Sequence, residues 1–108
     1  MTKIKFIPIE IILEMKENNE SFKLVDVLSA EYHQEGHIPG AINIPVEQLE
    51  EKAPEQLSKD ETIIVYCANY HCSASSEAAK KLLEMGYSNV LDYKAGKKGW
   101  ESAGLPLE

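Results

Sequence analysis

Two cysteines stand five positions apart in one polar segment, Cys67-Ala68-Asn69-Tyr70-His71-Cys72-Ser73-Ala74-Ser75, and the chain has no others. Before it runs Thr62-Ile63-Ile64-Val65-Tyr66, β-branched and aromatic, the pattern of a strand buried on both faces of a parallel sheet. After it comes a helix signal: Ser75 or Ser76 as cap, Glu77 in the first turn, Ala78, Ala79, Leu82 and Leu83 on one face, and Gly86 as terminator. A cysteine between such a strand and a helix N-terminus meets unpaired backbone N–H groups and the positive end of the helix dipole. Both stabilise the thiolate, which is the nucleophilic form of the side chain. The competing reading of Cys67 is a small buried residue that simply packs, and from the cysteine alone the two stand even.

Cys72 adds a second thiol. A five-residue separation on one loop can bring two α-carbons within the roughly 4.4–6.8 Å that a disulfide needs. Cys72 is thus a candidate resolving thiol, able to attack an oxidised or sulfur-loaded Cys67, and equally a small packed residue; both readings stay open. His71 could assist proton transfer, although a histidine among loop residues is more often a solvated surface group. Cys67, His71 and Cys72 crowd one loop with no distant fourth ligand, so no metal site is expected.

The elements around this loop alternate. Lys3 to Ile7 reads as a short strand, Pro8 as a first helical position, and Ile9, Ile12, Leu13 and Lys16 as an amphipathic helix fading at Asn18-Asn19. Phe22 to Val27 has buried-strand length, Ser29 to Gly36 a helical turn, His37 to Gly40 a turn and Ala41 to Ile44 a short strand. Val46 to Lys52 reads as a helix, with Pro54 and Ser58-Lys59-Asp60 as loop punctuation. Asn89 to Tyr93 is the last strand and Gly96 to Ala103 a closing helix or turn around Trp100. Strands alternating with helices predict an α/β domain with a mainly parallel sheet covered on both faces, and ligands in such sheets bind beyond the carboxyl ends of the strands. Cys67 occupies that place. Asp26, at another strand end, is expected to support the loop through hydrogen bonds.

The 108 residues suit one domain spanning 1–108, and neither a repeat nor a low-complexity tract divides them. Eighteen acidic against eleven basic side chains give a net charge of −7, which repels phosphate backbones and anionic membrane surfaces, so neither is expected as a partner. No apolar run approaches the roughly 18 residues of a membrane span and the first ten residues lack a signal-type core, which predicts the cytoplasm. Cysteines there start as thiols.

Four stretches resemble the rhodanese-like (sulfurtransferase) family over roughly Ile7 to Leu107. Leu24-Val25-Asp26-Val27 is similar to its early strand, and Gly36-His37-Ile38-Pro39-Gly40-Ala41-Ile42-Asn43-Ile44-Pro45 to its "G-H-I-P-G-A-x-N-[IL]-P" signature nearly letter for letter. Tyr66-Cys67 resembles the active-site strand end, and Ala95-Gly96 with Trp100 the closing "G-G-x-x-x-W" element. The resemblance implies a three-layer α/β domain with a mainly parallel sheet of about five strands. It also implies a cysteine, Cys67, that takes a sulfane sulfur from a donor such as thiosulfate. Cys67 would hold it as a persulfide and pass it to cyanide, a thiol or a sulfur-accepting protein. Residues 68–75 would then form the active-site loop: Ala68, Asn69, Tyr70, His71, Cys72, Ser73, Ala74 and Ser75. Backbone amides converging on Cys67 would stabilise both the thiolate and the persulfide, without metal or organic cofactor.

The loop departs from the family's frequent C-x-x-G-x-R-S: Tyr70 replaces the glycine, Cys72 the arginine, and Ser73 is kept. Cys67 and the helix-ending Gly86 are nineteen positions apart, about two more than the compact sulfurtransferase loop implies, which suggests a wider cradle. Leu28 stands where an arginine often follows the early strand, so an anionic donor would be held mainly by backbone amides. Phosphatases and arsenate reductases of this architecture clamp the oxyanion with the arginine of a C-x5-R loop, and Cys72-Ser73 at that point disfavours phosphoryl transfer. The remaining alternative is a non-catalytic or redox-sensing module using the Cys67–Cys72 pair.

Overall fold

The computed structural model describes residues 4–108. Five strands, β1 (Lys5–Phe6), β2 (Lys23–Asp26), β3 (Ile42–Asn43), β4 (Ile63–Tyr66) and β5 (Val90–Tyr93), form one sheet in the order β1-β5-β4-β2-β3. Every pairing is parallel. Five α-helices connect or close it: α1 (Ile9–Glu17), α2 (Ala30–Gln34), α3 (Leu49–Gln56), α4 (Ala74–Glu84) and α5 (Gly96–Ser102), with a 3₁₀ turn over Val46–Gln48 leading into α3. The α/β class and the five-stranded parallel sheet are as the sequence led one to expect. Lys3, the expected start of β1, lies outside the described residues.

The central strand explains the layering. β4 is buried throughout and paired on both sides, and because successive side chains point to opposite faces, Ile63, Val65 and Cys67 go one way while Ile64 and Tyr66 go the other. The first set packs with Leu49 and Ala53 of α3 and with Ala78, Ala79 and Leu82 of α4. The second packs with Ile12 and Met15 of α1 and with Trp100 of α5. Two apolar layers on one sheet are therefore fixed by a period of two along a single strand.

Most strands end a residue inside the sequence reading, and at three helices the boundary differs for a physical reason. Pro8 is the N-cap of α1, one position before the helix proper. The third helix starts as a 3₁₀ turn and continues through Pro54 to Gln56, because Leu49, Ala53 and Leu57 recur every four residues and all face the core. The N–H that Pro54 lacks would have met the carbonyl of the exposed Glu50, which water can satisfy. Finally, α4 begins at Ala74, so neither Ser75 nor Ser76 caps it. Ser73 holds the cap position without a side-chain bond, and the Ser76 hydroxyl donates to Asp92 Oδ2 at 2.7 Å.

Candidate active site

Cys67 is the first residue beyond the carboxyl end of β4, and the loop Cys67–Ser73 crosses from there to α4. Within it the Asn69 side chain accepts from the His71 N–H at 2.9 Å and the Asn69 carbonyl from the Cys72 N–H at 3.1 Å, a tight turn that brings Cys72 back over the strand end. The two α-carbons stand 6.4 Å apart and the sulfurs are joined as a disulfide. Cys67 is fully buried and its Sγ lies 3.5 Å from the Cys72 carbonyl oxygen. Tyr70 and His71 are exposed, while Ser75 is buried in the first turn of α4 with no partner for its hydroxyl among the described residues. The amides of Ala74, Ser75 and Ser76 precede the first helical bond, which runs from Glu77 N–H to the Ser73 carbonyl, so the positive end of α4 opens onto this loop.

The far side of the loop is held by α5. The Lys97 and Lys98 N–H groups donate to the carbonyls of Cys67 and Ala68 at 3.0 and 2.9 Å. This close approach needs Gly96: its φ is +63°, and a Cβ there would overlap the Cys67 carbonyl.

Asp26 is fully buried at the end of β2, and its carboxylate is used on the side of the signature turn. Oδ1 accepts from the Leu28 N–H at 2.9 Å, while Oδ2 stands 3.0 Å from His33 Nδ1 and accepts from the Tyr66 hydroxyl at 3.1 Å. Tyr66 in turn accepts from the Ile38 N–H at 3.0 Å, and burial with the adjacent carboxylate pushes its phenol far above the ordinary value, so it keeps its proton. His33 stacks on His37, whose Nδ1 lies 3.0 Å from the His33 carbonyl, which gives that imidazole its place in the turn. Asp26 makes no hydrogen bond to residues 68–75 among those described; its link to Cys67 runs through Tyr66, the preceding residue of β4.

One residue that sequence reasoning passed over is Lys94. The register Tyr66↔Tyr93 sets the residues following β4 and β5, Cys67 and Lys94, side by side, and the Lys94 ammonium donates to the Cys72 carbonyl at 2.7 Å. The chain contains no arginine. The cation at this loop is thus a lysine from a neighbouring strand end, a point charge in place of a planar fork. Its signal was the single basic residue directly after a strand predicted to end at Tyr93, which has meaning only once the β4–β5 pairing is known. Among the described residues no cluster of three or more His, Cys, Asp or Glu side chains could hold a metal, and no helix is long and apolar enough to cross a membrane.

Residues 10–103 match the Rhodanese-like domain family, and the chain belongs to that family. It is 39% identical over 85 residues to the HTH-type transcriptional regulator Rv0324 of Mycobacterium tuberculosis, covering 79% of this chain and 37% of that one. It is 31% identical over 90 residues to the thiosulfate sulfurtransferase GlpE of Actinobacillus pleuropneumoniae, covering 83% of this chain and 81% of that one. The crystal structure of the Alr3790 protein from Anabaena sp. superposes with a TM-score of 0.87 at 30% identity, over 94% of this chain and 79% of that one. Against several curated relatives the chain spans about half of their length or less.

Proposed function

We propose that residues 1–108 act as one rhodanese-like sulfurtransferase domain that carries sulfane sulfur as a persulfide on Cys67. The observation that supports it best is the position of Cys67: at the end of the central strand, before the open amides of α4, with its own carbonyl tied to α5. In the reduced form the Cys67 thiolate attacks the outer sulfur of a donor. With thiosulfate, a Cys67 S–S bond forms, the donor S–S bond breaks, and sulfite leaves with the electron pair. The resulting Cys67–S–S⁻ keeps its negative charge near the first turn of α4 and the Lys94 ammonium. An acceptor thiolate, on a small molecule or on a sulfur-accepting protein, then takes the outer sulfur and returns the Cys67 thiolate. Similarity to GlpE, named a thiosulfate sulfurtransferase, supports the same reading.

The test is intact-mass and peptide mass spectrometry of the reduced protein after incubation with thiosulfate. A gain of one sulfur atom on the Cys67 peptide is expected. Loss of two hydrogens with no sulfur gained and no sulfite released from thiosulfate would replace this reading with the redox-sensing module.

The nearness of Cys72 favours a second step on the same site. The Cys72 thiol attacks Sγ of the loaded Cys67, a Cys67–Cys72 disulfide forms, and the outer sulfur leaves as sulfide with the proton of Cys72. An external thiol must then reduce the pair, which suits a reducing compartment, the cytoplasm in this reading. Cys72→Ser should load sulfur as before but release sulfide in the absence of an added thiol more than about tenfold more slowly, about 1.4 kcal/mol of barrier. A methylene-blue sulfide assay reads this directly, and unchanged release would leave Cys72 a packing residue.

A further inference from the structure

Asp92 is a buried carboxylate that the loading step leaves unused. It is fully buried on β5, where the register sets it beside Val65, and its Oδ2 accepts from the Ser76 hydroxyl in the first turn of α4 at 2.7 Å. Its Oδ1 has no partner, and no cation pairs with it, among the described residues. Side chains alternate along a strand, so Val90, Asp92 and then Lys94 point to the α4 side of the sheet, the side on which Val65 and Cys67 pack. Asp92 therefore stands one strand across and two residues back from Cys67, and on the spacings of a parallel sheet their α-carbons are about 8 Å apart. Lys94, the next residue on that face, reaches the Cys72 carbonyl at 2.7 Å. The neighbouring titratable groups of the loop and of the first turn of α4, His71 and Glu77, are exposed, where water and salt screen them. Lys97 of α5 turns its ammonium to the Tyr32 and Gly36 carbonyls. The cradle around Cys67 thus sets the Lys94 cation against a buried anion.

We propose that Asp92 determines donor specificity: by offsetting the charge of Lys94 it weights the site toward sulfane-sulfur donors with a single negative charge and against the dianion thiosulfate. The proposal rests on the sulfurtransferase reading and deepens it. A fixed anion repels each unit of donor charge, so discrimination comes from the penalty on the second charge. At about 8 Å one unit charge changes binding about two- to thirtyfold between the dielectric of water and that of a protein surface. Methanethiosulfonate and thiosulfate are a matched pair of probes, close in size and one charge apart. With either, the Cys67 thiolate attacks the terminal sulfur, a Cys67 S–S bond forms and the donor S–S bond breaks. Methanesulfinate leaves with the electron pair in the first case and sulfite in the second. No outside oxidant or reductant enters.

The experiment measures the rate constants for Cys67 loading of the reduced protein by both donors and takes the ratio of thiosulfate to methanethiosulfonate. Asp92→Asn keeps an oxygen for the Ser76 hydroxyl but removes the charge, and should raise the ratio about fivefold. Asp92→Ser, a second neutral replacement, should raise it in the same way and serves if the first variant does not fold. Lys94→Gln should lower the ratio. Ser76→Ala loosens α4 from β5 and leaves the charge, so it should change both donors together and hold the ratio. A ratio within about twofold of the wild type in a folded neutral variant at Asp92, or an equal rise in Ser76→Ala, would overturn the assignment. A second measurement stands apart from sulfur transfer. In the Cys72→Ser background, ultraviolet absorbance of the thiolate gives the pH at which Cys67 ionises. Asp92→Asn should lower that pH by about 0.7, the same fivefold, and Lys94→Gln should raise it. If neither donor loads the wild-type protein, the sulfurtransferase reading fails, and the lowered pH would still uphold Asp92 as the charge that Cys67 feels. An unmoved pH would remove Asp92 from the site.

Discussion

Cys67→Ser is expected to reduce sulfur transfer from thiosulfate by about 10³-fold or more, the scale on which loss of a covalent nucleophile acts in enzymes that depend on one. A serine hydroxyl does not ionise in the working pH range and cannot form the persulfide, so the amides and Lys94 around it have no anion to stabilise. The same substitution also acts on the fold. Cys67 is fully buried among Val65, Ala78 and Ala79, and a hydroxyl there costs about 1–3 kcal/mol unless it is hydrogen-bonded. The Cys72 carbonyl, 3.5 Å from Sγ, is a ready acceptor, which places the cost at the low end. Comparison with the reduced wild-type protein removes the disulfide from the difference, and thermal unfolding then separates the two effects. Midpoints within about 8 °C correspond to no more than about 1–2 kcal/mol, far short of the roughly 4 kcal/mol of barrier that a 10³-fold loss represents. Full activity in a folded Cys67→Ser protein would remove this residue from the chemistry and the persulfide with it.

Much of this site could be read from the chain because its first half is local. The run Ile63 to Tyr66 announces a buried strand by composition, the Ala78, Ala79, Leu82 face announces a helix, and a cysteine between the two must then sit at a sheet's carboxyl edge. What the chain hid depends on partners distant in sequence. Lys94 matters through its β5–β4 register, and Gly96 through contact with a carbonyl twenty-nine positions earlier. Asp26 serves the signature turn through Tyr66 and His33, an arrangement that needs β2 and β4 paired at Asp26↔Tyr66. The run of α3 through Pro54 belongs to the same class: local chemistry argued for a stop, and burial of Leu49, Ala53 and Leu57 overrode it. Turn and helix signals report on a few neighbouring residues, whereas register and close backbone approach are settled only when the sheet forms.

Gly96→Ala is the second change expected to act strongly, and here the effect reaches the site through the backbone. At φ +63° an L side chain is strained by about 1–2 kcal/mol even in open space. Gly104 supplies that baseline, since its φ is +81° and nothing stands within 4 Å of a Cβ added there. At Gly96 the added methyl would overlap the Cys67 carbonyl, which is backbone and cannot swing aside. Either the N-terminus of α5 or the Cys67–Ala68 peptide must move, and both the Lys97 and Lys98 hydrogen bonds to that peptide are then weakened. Two such bonds at about 1 kcal/mol each, added to the strain, predict a loss of about 3 kcal/mol or more against about 1–2 for Gly104→Ala. At about 4–8 °C per kcal/mol the two variants should melt at least about 5 °C apart. Below both midpoints Gly96→Ala should still load sulfur more slowly, because the peptide that sets the direction of Sγ is the one displaced, while Gly104→Ala should load at the wild-type rate. Equal melting temperatures and equal rates for the two variants would mean that α5 does not brace the cysteine.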